Sequence, residues 1–279
     1  MRPAAAAAAR AQRSRRLVFM GKDAKPLALS GANLDEMRAL FHAAGLDPSP
    51  EDWAFFERLR LTVIAGNASM NLTRITEQRE FFLKHVLDSA LPLVAVPALR
   101  GLGEGLLAAD VGSGAGFPGL VIARLRPSWD VALLERTRKK ANFLEEAAEA
   151  LGLENTFVVP LDAAEAPSQV PVLRRRCDLV LARAVGRIGA VTRSAKDLVR
   201  AGGWIVHYKG GEPPPDELEE GRREVKRLGF LMEEPAVYAL PPEARRSVVL
   251  VVNPPSGPMR DAGAGRSRAK RGIRRGRGR

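Results

Sequence analysis

The chain has 279 residues, 46% of them hydrophobic and 27% charged, and its 44 Lys and Arg against 32 Asp and Glu give a formal net charge of +12. This length suits one large domain with extensions or two domains, and the apolar fraction is sufficient for a core. The single cysteine excludes an intramolecular disulfide framework and is typical of a reducing compartment, and the three separated histidines form no metal-ligand cluster. No segment approaches the ~18 consecutive apolar residues of a membrane-spanning helix.

The excess positive charge lies at the two ends of the chain. Residues 1–25 carry a net charge of +6 and residues 260–279 carry +8, whereas residues 26–259 carry −2. We therefore predict a basic, disordered N-terminal extension over residues 1–30, with a start at Met20 and an acid-poor organelle transit peptide as the alternatives. We also predict a basic, disordered tail over residues 254–279, because it holds too little apolar surface to offset its chain entropy. Such a tail attracts nucleic-acid phosphates without reading sequence, and a purely solubilising tail is the alternative.

Helix-start patterns dominate residues 31–100. Asn33, with an acid three residues later, predicts an N-cap, and Ser49, followed by proline and two acids, predicts a second. A third helix is predicted to begin after Thr76 and to run to Pro92. The apolar face of the second helix consists of Trp53, Phe56, Leu59 and Val63. This part of the chain is predicted to form a small helical lobe.

From residue 101 to residue 253 short apolar runs alternate with helical segments. The six main runs are Leu106–Asp110, Val131–Glu135, Thr156–Pro160, Asp178–Ala182, Trp204–His207 and Ser247–Val252. This alternation is typical of an α/β domain with a mostly parallel, doubly wound sheet. A further run at Val237–Leu240 lies so close to the last one that the pair is predicted to form an antiparallel hairpin.

A glycine-rich segment, residues 110–119, joins the first predicted strand to the next helix. Glycines suit a tight turn at which a ligand approaches the backbone, and Glu135, at the end of the second strand, can accept hydrogen bonds from ribose hydroxyls. The spacing from Gly114 to Gly119 also matches the dinucleotide pattern, so NAD is an alternative ligand. Asp110 favours S-adenosylmethionine, because its carboxylate repels a pyrophosphate and attracts a cationic amino-acid group. Pro118 also removes an N–H that a pyrophosphate would use.

Further motifs accompany this loop. They are Asn71-Leu72-Thr73, Lys84-His85, Asp88-Ser89, Thr137-Arg138-Lys139-Lys140, Ala182-Arg183-Ala184 and Lys209-Gly210. With the loop and Glu135, they resemble the bacterial glucose-inhibited division B family over about residues 50–253. The members of that family are S-adenosylmethionine-dependent methyltransferases that act on guanine N7 in 16S ribosomal RNA. The resemblance implies a class I, Rossmann-like methyltransferase fold.

The resemblance also implies a set of site residues. The cofactor is expected to contact Gly112, Phe117, Glu135, Ala163, Ala164 and Arg183, and the loop argument adds Asp110 and Gly114. Arg183, Lys209 and His85 are the candidate catalytic residues, with a role in positioning the substrate. A solvated lysine and a structural, hydrogen-bonded histidine are the alternatives for the last two. Arg246 stands where the family commonly has a histidine.

Chemistry also favours guanine N7 among the possible methyl acceptors. Its lone pair is unprotonated near neutral pH, so no general base is required, and alignment alone contributes up to ~7–11 kcal/mol. Amino-group methylation typically uses an Asn/Asp-Pro-Pro-aromatic motif after the fourth strand, whereas here Asn253-Pro254-Pro255 follows the last one. Cys177, at the entrance of the fourth strand, is predicted to be a buried apolar residue and not a nucleophile.

The predicted partner is 16S ribosomal RNA or the small ribosomal subunit, in the cytoplasm, with no membrane, no metal and no obligate protein partner. An NAD-dependent oxidoreductase and a non-catalytic RNA-binding or assembly protein remain the alternatives. Arg138, Lys139 and Lys140 oppose the dipole of a predicted helix by ~0.3–1 kcal/mol each, which indicates either RNA contact or a solvated face.

Overall fold

The computed structural model describes residues 31–240 and 244–255. The extension predicted over residues 1–30 lies outside the described residues, as does the predicted tail beyond Pro255. The described residues form one sheet of eight strands with helices on both faces. Among the described helices, none combines the length and the apolar content that crossing a bilayer requires.

The sheet has the strand order β3-β2-β1-β4-β5-β8-β6, and β7 pairs with β8. Its strands are β1 (Leu107–Val111), β2 (Asp130–Leu134), β3 (Thr156–Val159), β4 (Cys177–Arg183), β5 (Val199–Lys209), β6 (Leu231–Met232), β7 (Ala236–Leu240) and β8 (Ala244–Val252). The first five are parallel, and β8 runs antiparallel to β5, β6 and β7. The predicted parallel sheet and its antiparallel terminal pair are confirmed.

The helices of the described residues follow in chain order. They are α1 (Gly31–Ala43), α2 (Pro50–Met70), α3 (Gln78–Phe81), a π-helical turn (Phe82–Leu87), α4 (Asp88–Ala90), α5 (Pro92–Ala95), α6 (Pro97–Arg100), α7 (Gly119–Leu125), α8 (Arg138–Ala150), α9 (Ala166–Gln169), a 3₁₀ turn (Pro171–Leu173), α10 (Ile188–Ala195) and α11 (Pro215–Arg227). The third predicted helix therefore corresponds to α3, the π-helical turn and α4, and the two prolines that follow begin α5 and α6.

Two predicted helix starts have different outcomes. Ser49 caps α2 as predicted: its Oγ accepts from the Asp52 N–H at 3.2 Å, and the Asp52 carboxylate accepts from the Ser49 N–H at 2.9 Å. The predicted N-cap at Asn33 is wrong, because α1 already begins at Gly31. A cap pattern marks a possible start, but a helix continues past it when the preceding residues tolerate helical angles.

The two faces of the sheet hold separate hydrophobic clusters, since alternate strand residues point to opposite sides. Leu133 and Val206 face the cluster that contains Phe56 of α2 and Leu120 of α7. The opposite face packs against α10 and α11 and includes Cys177, which is fully buried as predicted. The N-terminal helices thus share a core with the sheet, and the division of the chain at residue 100 stays a prediction.

Candidate active site

The glycine-rich loop, residues 112–118, connects β1 to α7 at the carboxyl edge of the sheet. Gly112 and Gly114 have φ angles of 68° and 54°, which L side chains rarely adopt. A Cβ atom on Gly112 would lie 2.4 Å from Cγ1 of Val185, in the segment after β4. The loop is therefore closely covered on one side, and glycine is required there for both conformation and space.

Asp110 lies beneath this loop and is 1% exposed. Its Oδ2 accepts from the N–H of Gly119, the first residue of α7, at 3.0 Å, whereas Oδ1 has no hydrogen-bond partner among the described residues. Burial raises the pKa of this carboxyl to about 6, even though the bond from Gly119 acts in the opposite direction. A buried acceptor without a donor is unfavourable by ~1–3 kcal/mol, so this oxygen suits a cationic ligand.

Glu135 follows β2 and is also buried. Its two carboxylate oxygens accept from the backbone N–H groups of Gly114, at 3.1 Å, and Thr137, at 2.7 Å. The acid therefore fixes the glycine-rich loop to the start of α8. Each carboxylate oxygen has a second lone pair, so both remain able to accept from a ribose hydroxyl.

Ala163 and Ala164 lie in the segment after β3, at the same edge of the sheet. Ala163 is buried and Ala164 is exposed. The side chain of Asp162 orders this segment, because its Oδ1 accepts from the Ala164 N–H at 2.8 Å and from the Glu165 N–H at 3.1 Å. These contacts order the segment without identifying a base, so the adenine contact stays a prediction.

A second group of predicted residues meets at Phe117. The His85 ring stacks on the Phe117 ring with centroids 4.4 Å apart, and the Arg183 guanidinium carbon lies 5.5 Å from the same ring. Nη2 of Arg183 lies 3.2 Å from Nδ1 of His85, and Nη1 donates to the Lys84 carbonyl at 3.2 Å. Thr73 completes the chain, because its Oγ1 lies 2.8 Å from Nε2 of His85.

His85 is held in its uncharged form by this environment. Burial, and then the positive charge of Arg183, lower its pKa from 6.5 to about 3. A neutral imidazole has one donor and one acceptor nitrogen. Because Arg183 only donates, Nδ1 of His85 is the acceptor and Nε2–H donates to the Thr73 hydroxyl. His85 is therefore a buried, hydrogen-bonded histidine, as the structural alternative predicts. Its ring also lies against Phe117 of the glycine-rich loop.

A cavity of about 390 Å³ opens next to this cluster, at the ends of β4 and β5. Its charged lining consists of Lys84, Asp88, Arg183, Lys209 and Arg246. Asp88 bridges two of these cations: its oxygens lie 3.4 Å from Nη1 of Arg183 and 3.4 Å from Nε of Arg246. Arg246, at the position where a histidine was expected, therefore contributes a guanidinium to the cavity.

Lys209 also lines the cavity and is already paired. Its Nζ donates to Oε1 of Glu217, on α11, at 2.6 Å and to the Gly186 carbonyl at 3.1 Å. The side chain is 16% exposed, so it is not the solvated lysine that was the alternative. A role for Lys209 in substrate contact stays a prediction.

The predicted site residues thus fall into two groups that share Phe117. Asp110, Gly112, Gly114 and Glu135 form the loop side, and His85, Arg183 and Lys209 border the cavity. Sequence reasoning missed Asp88 and Tyr208 as cavity residues. Asp88 belongs to the Asp88-Ser89 motif, but its two arginine partners come from the distant strands β4 and β8, and no sequence pattern relates them to it.

The loop side fits S-adenosylmethionine better than a dinucleotide. Oδ1 of Asp110 is the unpartnered acceptor that an ammonium group satisfies. Pro118, the N-cap residue of α7, has no N–H, and the N–H of Gly119 is already donated to Asp110, so the helix start offers little to a pyrophosphate. Within the described residues, no group of three or more His, Cys, Asp or Glu side chains is arranged to hold a metal ion.

Comparisons with known proteins identify the family of this chain. Residues 54–238 match the family described as rRNA small subunit methyltransferase G. The Ribosomal RNA small subunit methyltransferase G of Lactobacillus delbrueckii subsp. bulgaricus is 37% identical over 204 residues, which is 73% of this chain and 84% of that protein. The protein of the same name from Bacillus cytotoxicus is 31% identical over 220 residues, 78% of this chain and 90% of that one. The resemblance drawn from the motifs is confirmed, and the chain belongs to the rRNA small subunit methyltransferase G family.

Proposed function

We propose that the protein transfers the methyl group of S-adenosylmethionine to N7 of a guanine in 16S ribosomal RNA. Its family membership supports S-adenosylmethionine-dependent methylation of ribosomal RNA and favours neither an oxidoreductase nor a non-catalytic binding protein. The observation that carries the proposal is the position of Phe117. This residue of the glycine-rich loop stacks on His85 beside the cavity, so the proposed cofactor and substrate sites meet at one ring.

The loop side would hold the methyl donor. We assign the ammonium group to Asp110, the ribose to Glu135, the close backbone approach to Gly112 and Gly114, and the adenine surroundings to Ala163 and Ala164. When bound, S-adenosylmethionine supplies an electrophilic methyl group on a sulfonium. Phe117 and Arg183 close the cofactor site on the side of the cavity, where their ring and guanidinium lie together.

The cavity would hold the guanine. Arg183 and Arg246 can donate to O6 of the guanine, which leaves the N7 lone pair free to attack the methyl group. N7 needs no general base, and His85 does not act as one, because Arg183 occupies its acceptor nitrogen. Methylation at N7 places positive charge on the base. The neutral His85 ring adds no repulsion to that charge, and the Asp88 carboxylate lowers the positive charge that Arg183 and Arg246 bring to the cavity.

The proposed partner is an accessible 16S RNA segment, as free RNA or in the small ribosomal subunit, in the cytoplasm where ribosomes are assembled. A-form RNA hides N7 in a deep and narrow groove, so a loop or a splayed base suits the cavity better than a continuous duplex. The cavity of about 390 Å³ is of the size that small ligands occupy, which suits one base turned out of its stack.

The test is methyl transfer from labelled S-adenosylmethionine to unmodified 16S RNA and to small subunits, with the labelled nucleotide mapped. We expect the label on N7 of one guanine. Label on an exocyclic amine or on a pyrimidine carbon would overturn the acceptor assignment. RNA binding without transfer would favour the non-catalytic protein, and micromolar NAD binding without any response to S-adenosylmethionine would favour the oxidoreductase.

A further inference from the structure

Most arginines on the α10 and α11 face are neutralised by neighbouring carboxylates. Arg193 pairs with Glu224 at 2.7 Å, and Arg222 pairs with Glu234 at 2.7 Å. The helix α11 also contains pairs within itself, such as Arg223 with Glu219 at 3.2 Å. This face therefore presents cations and anions together, and its charges are largely satisfied by the protein.

The start of α8 and the loop after α2 instead carry cations without carboxylate partners among the described residues. Arg74, Arg136, Arg138 and Lys139 are exposed, and none has a carboxylate partner within residues 31–240 and 244–255. Residues 141–144 contain no acid, so α8 supplies no partner one turn later. We call these four side chains the basic surface.

The basic surface is assembled from two segments that contact each other. Nζ of Lys139 donates to the carbonyl oxygen of Ser69, near the end of α2, at 2.7 Å. This bond brings the start of α8 against the end of the helix that leads into the loop with Arg74. The four cations therefore come from neighbouring parts of the fold.

The basic surface also borders the proposed site. Arg74 stands between Thr73, whose hydroxyl contacts His85, and Ile75, which lines the cavity. Arg136 directly follows Glu135, the proposed ribose ligand. The basic surface therefore begins within one residue of groups that contact or line the proposed site.

The charges on α8 are unfavourable for the helix itself. Its first turn contains no acid, and a cation in a first turn opposes the helix dipole by ~0.3–1 kcal/mol. Residues 26–259 carry a net charge of −2, so an overall excess of basic residues does not account for the cluster. Its cost to the helix, its missing partners and its position all favour an anionic ligand.

We propose that the basic surface binds the phosphates of the RNA strand that flanks the target guanine. This inference rests on the proposed function, since it places the RNA beside the cavity at Arg183. The contacts are electrostatic and read no bases, so they set affinity and not the choice of nucleotide. On a single strand each phosphate contact adds about 0.7 to the steepness of log K against log salt. Relative to about 1 M salt, one contact therefore raises the affinity about fourfold at about 0.15 M salt.

The test compares the full-length protein with two variants that lose the same formal charge. In one variant Arg74, Arg136, Arg138 and Lys139 are replaced by Gln; in the control Arg193, Arg222, Arg223 and Arg227, on α10 and α11, are replaced by Gln. Binding of an unmodified 16S RNA transcript is measured without cofactor across a salt series. Unfolding curves and S-adenosylhomocysteine affinity are measured for all three proteins.

We expect the salt slope of the basic-surface variant to be shallower by roughly 3 and its RNA affinity to fall by at least tenfold, with unchanged S-adenosylhomocysteine affinity. The control should keep the wild-type slope. Equal slopes in both variants would overturn the proposal, as would a loss of S-adenosylhomocysteine affinity at the basic surface, which would assign these side chains to the cofactor. Wild-type protein that binds RNA with this slope but transfers no methyl group would refute the proposed function and leave the basic surface intact.

Discussion

The His85 ring lies flat on the Phe117 ring, with centroids 4.4 Å apart and an angle of 5° between the planes. Phe117 belongs to the glycine-rich loop, whereas His85 comes from the π-helical turn of the N-terminal region and lines the cavity. The guanidinium of Arg183 lies over the same phenyl ring. Through this contact the N-terminal helices take part in the site and do more than cover the sheet.

Arg183→Lys should reduce methylation strongly while preserving the charge. Lysine cannot reproduce the planar fork that contacts the Lys84 carbonyl and the His85 ring. Without these two hydrogen bonds the cation is no longer held beside Phe117, and a displacement of about 1 Å in a positioning group corresponds to a fall of about 100-fold in kcat/KM. Arg187→Lys, at an exposed position paired with Asp216, is the matched control. A kcat/KM equal to that of the wild type would remove Arg183 from the proposed mechanism.

Asp110→Asn should weaken cofactor binding without lowering the stability of the protein at neutral pH. Burial raises the pKa of Asp110 to about 6, so its folded form holds a proton more tightly than the unfolded chain does. The stability that this group contributes is therefore lost as pH rises from about 4 to about 6. At neutral pH the variant should unfold no more easily than the wild type, because it removes a buried charge.

The same substitution should weaken S-adenosylmethionine binding by at least about tenfold, since an amide does not replace a carboxylate opposite an ammonium group. In the wild type, affinity should also decline as pH falls below about 6, and this decline should be missing from the variant. Calorimetric titration across pH measures both effects. Unchanged affinity would withdraw the assignment of the ammonium group to Asp110.

Local patterns predicted much of the fold. Each predicted strand of the main sheet lies within an observed strand or one residue beyond it, because a buried parallel strand is a continuous apolar run. Two strands start well before the predicted residue: β8 begins at Ala244 and not at Ser247, and β5 begins at Val199 and not near Trp204. Arg200 and the glycines that follow interrupt the apolar run there, at a shift in the pairing with β4.

The contacts within the site could not be predicted in the same way. Arg183 meets Asp88 across a separation of 95 residues, and no periodicity relates the two. The sequence places each residue on its own element, but how the N-terminal helices pack against the sheet depends on the whole core. The pair of Lys209 and Glu217 is only eight residues apart and was also missed, because a loop and not a helix turn brings them together.

Lys209→Met and Glu217→Gln should lower the stability of the protein by similar amounts, because each removes one partner of the same ion pair. Nζ of Lys209 is engaged with Glu217 and with the Gly186 carbonyl, so its removal frees α11 and the segment after β4 from the end of β5. We expect each variant to lower stability by about 1–3 kcal/mol, since removal of either partner leaves a poorly solvated charge or acceptor. Chemical denaturation measures this. A loss of RNA methylation in Lys209→Met alone, with Glu217→Gln active, would instead identify Lys209 as a substrate contact.

His85→Gln should reduce the loss of stability in mild acid. In the folded protein burial and Arg183 lower the His85 pKa to about 3, whereas the unfolded chain takes up the proton near pH 6.5. Between these values the unfolded state binds more protons, so the free energy of unfolding falls as pH falls, by up to ~1.4 kcal/mol per pH unit. Buried His207, whose pKa is also lowered to about 3, contributes in the same direction in both proteins.

The pH dependence of the free energy of unfolding is therefore compared between the wild type and His85→Gln. Urea unfolding at about pH 7 and about pH 5 should show the smaller change in the Gln variant, which has one fewer buried histidine to protonate. His42→Gln on α1, at an exposed position, controls for the substitution itself. An equal pH dependence in wild type and His85→Gln would mean that His85 is not held neutral between Thr73 and Arg183, and the assignment of its acceptor nitrogen to Arg183 would fail with it.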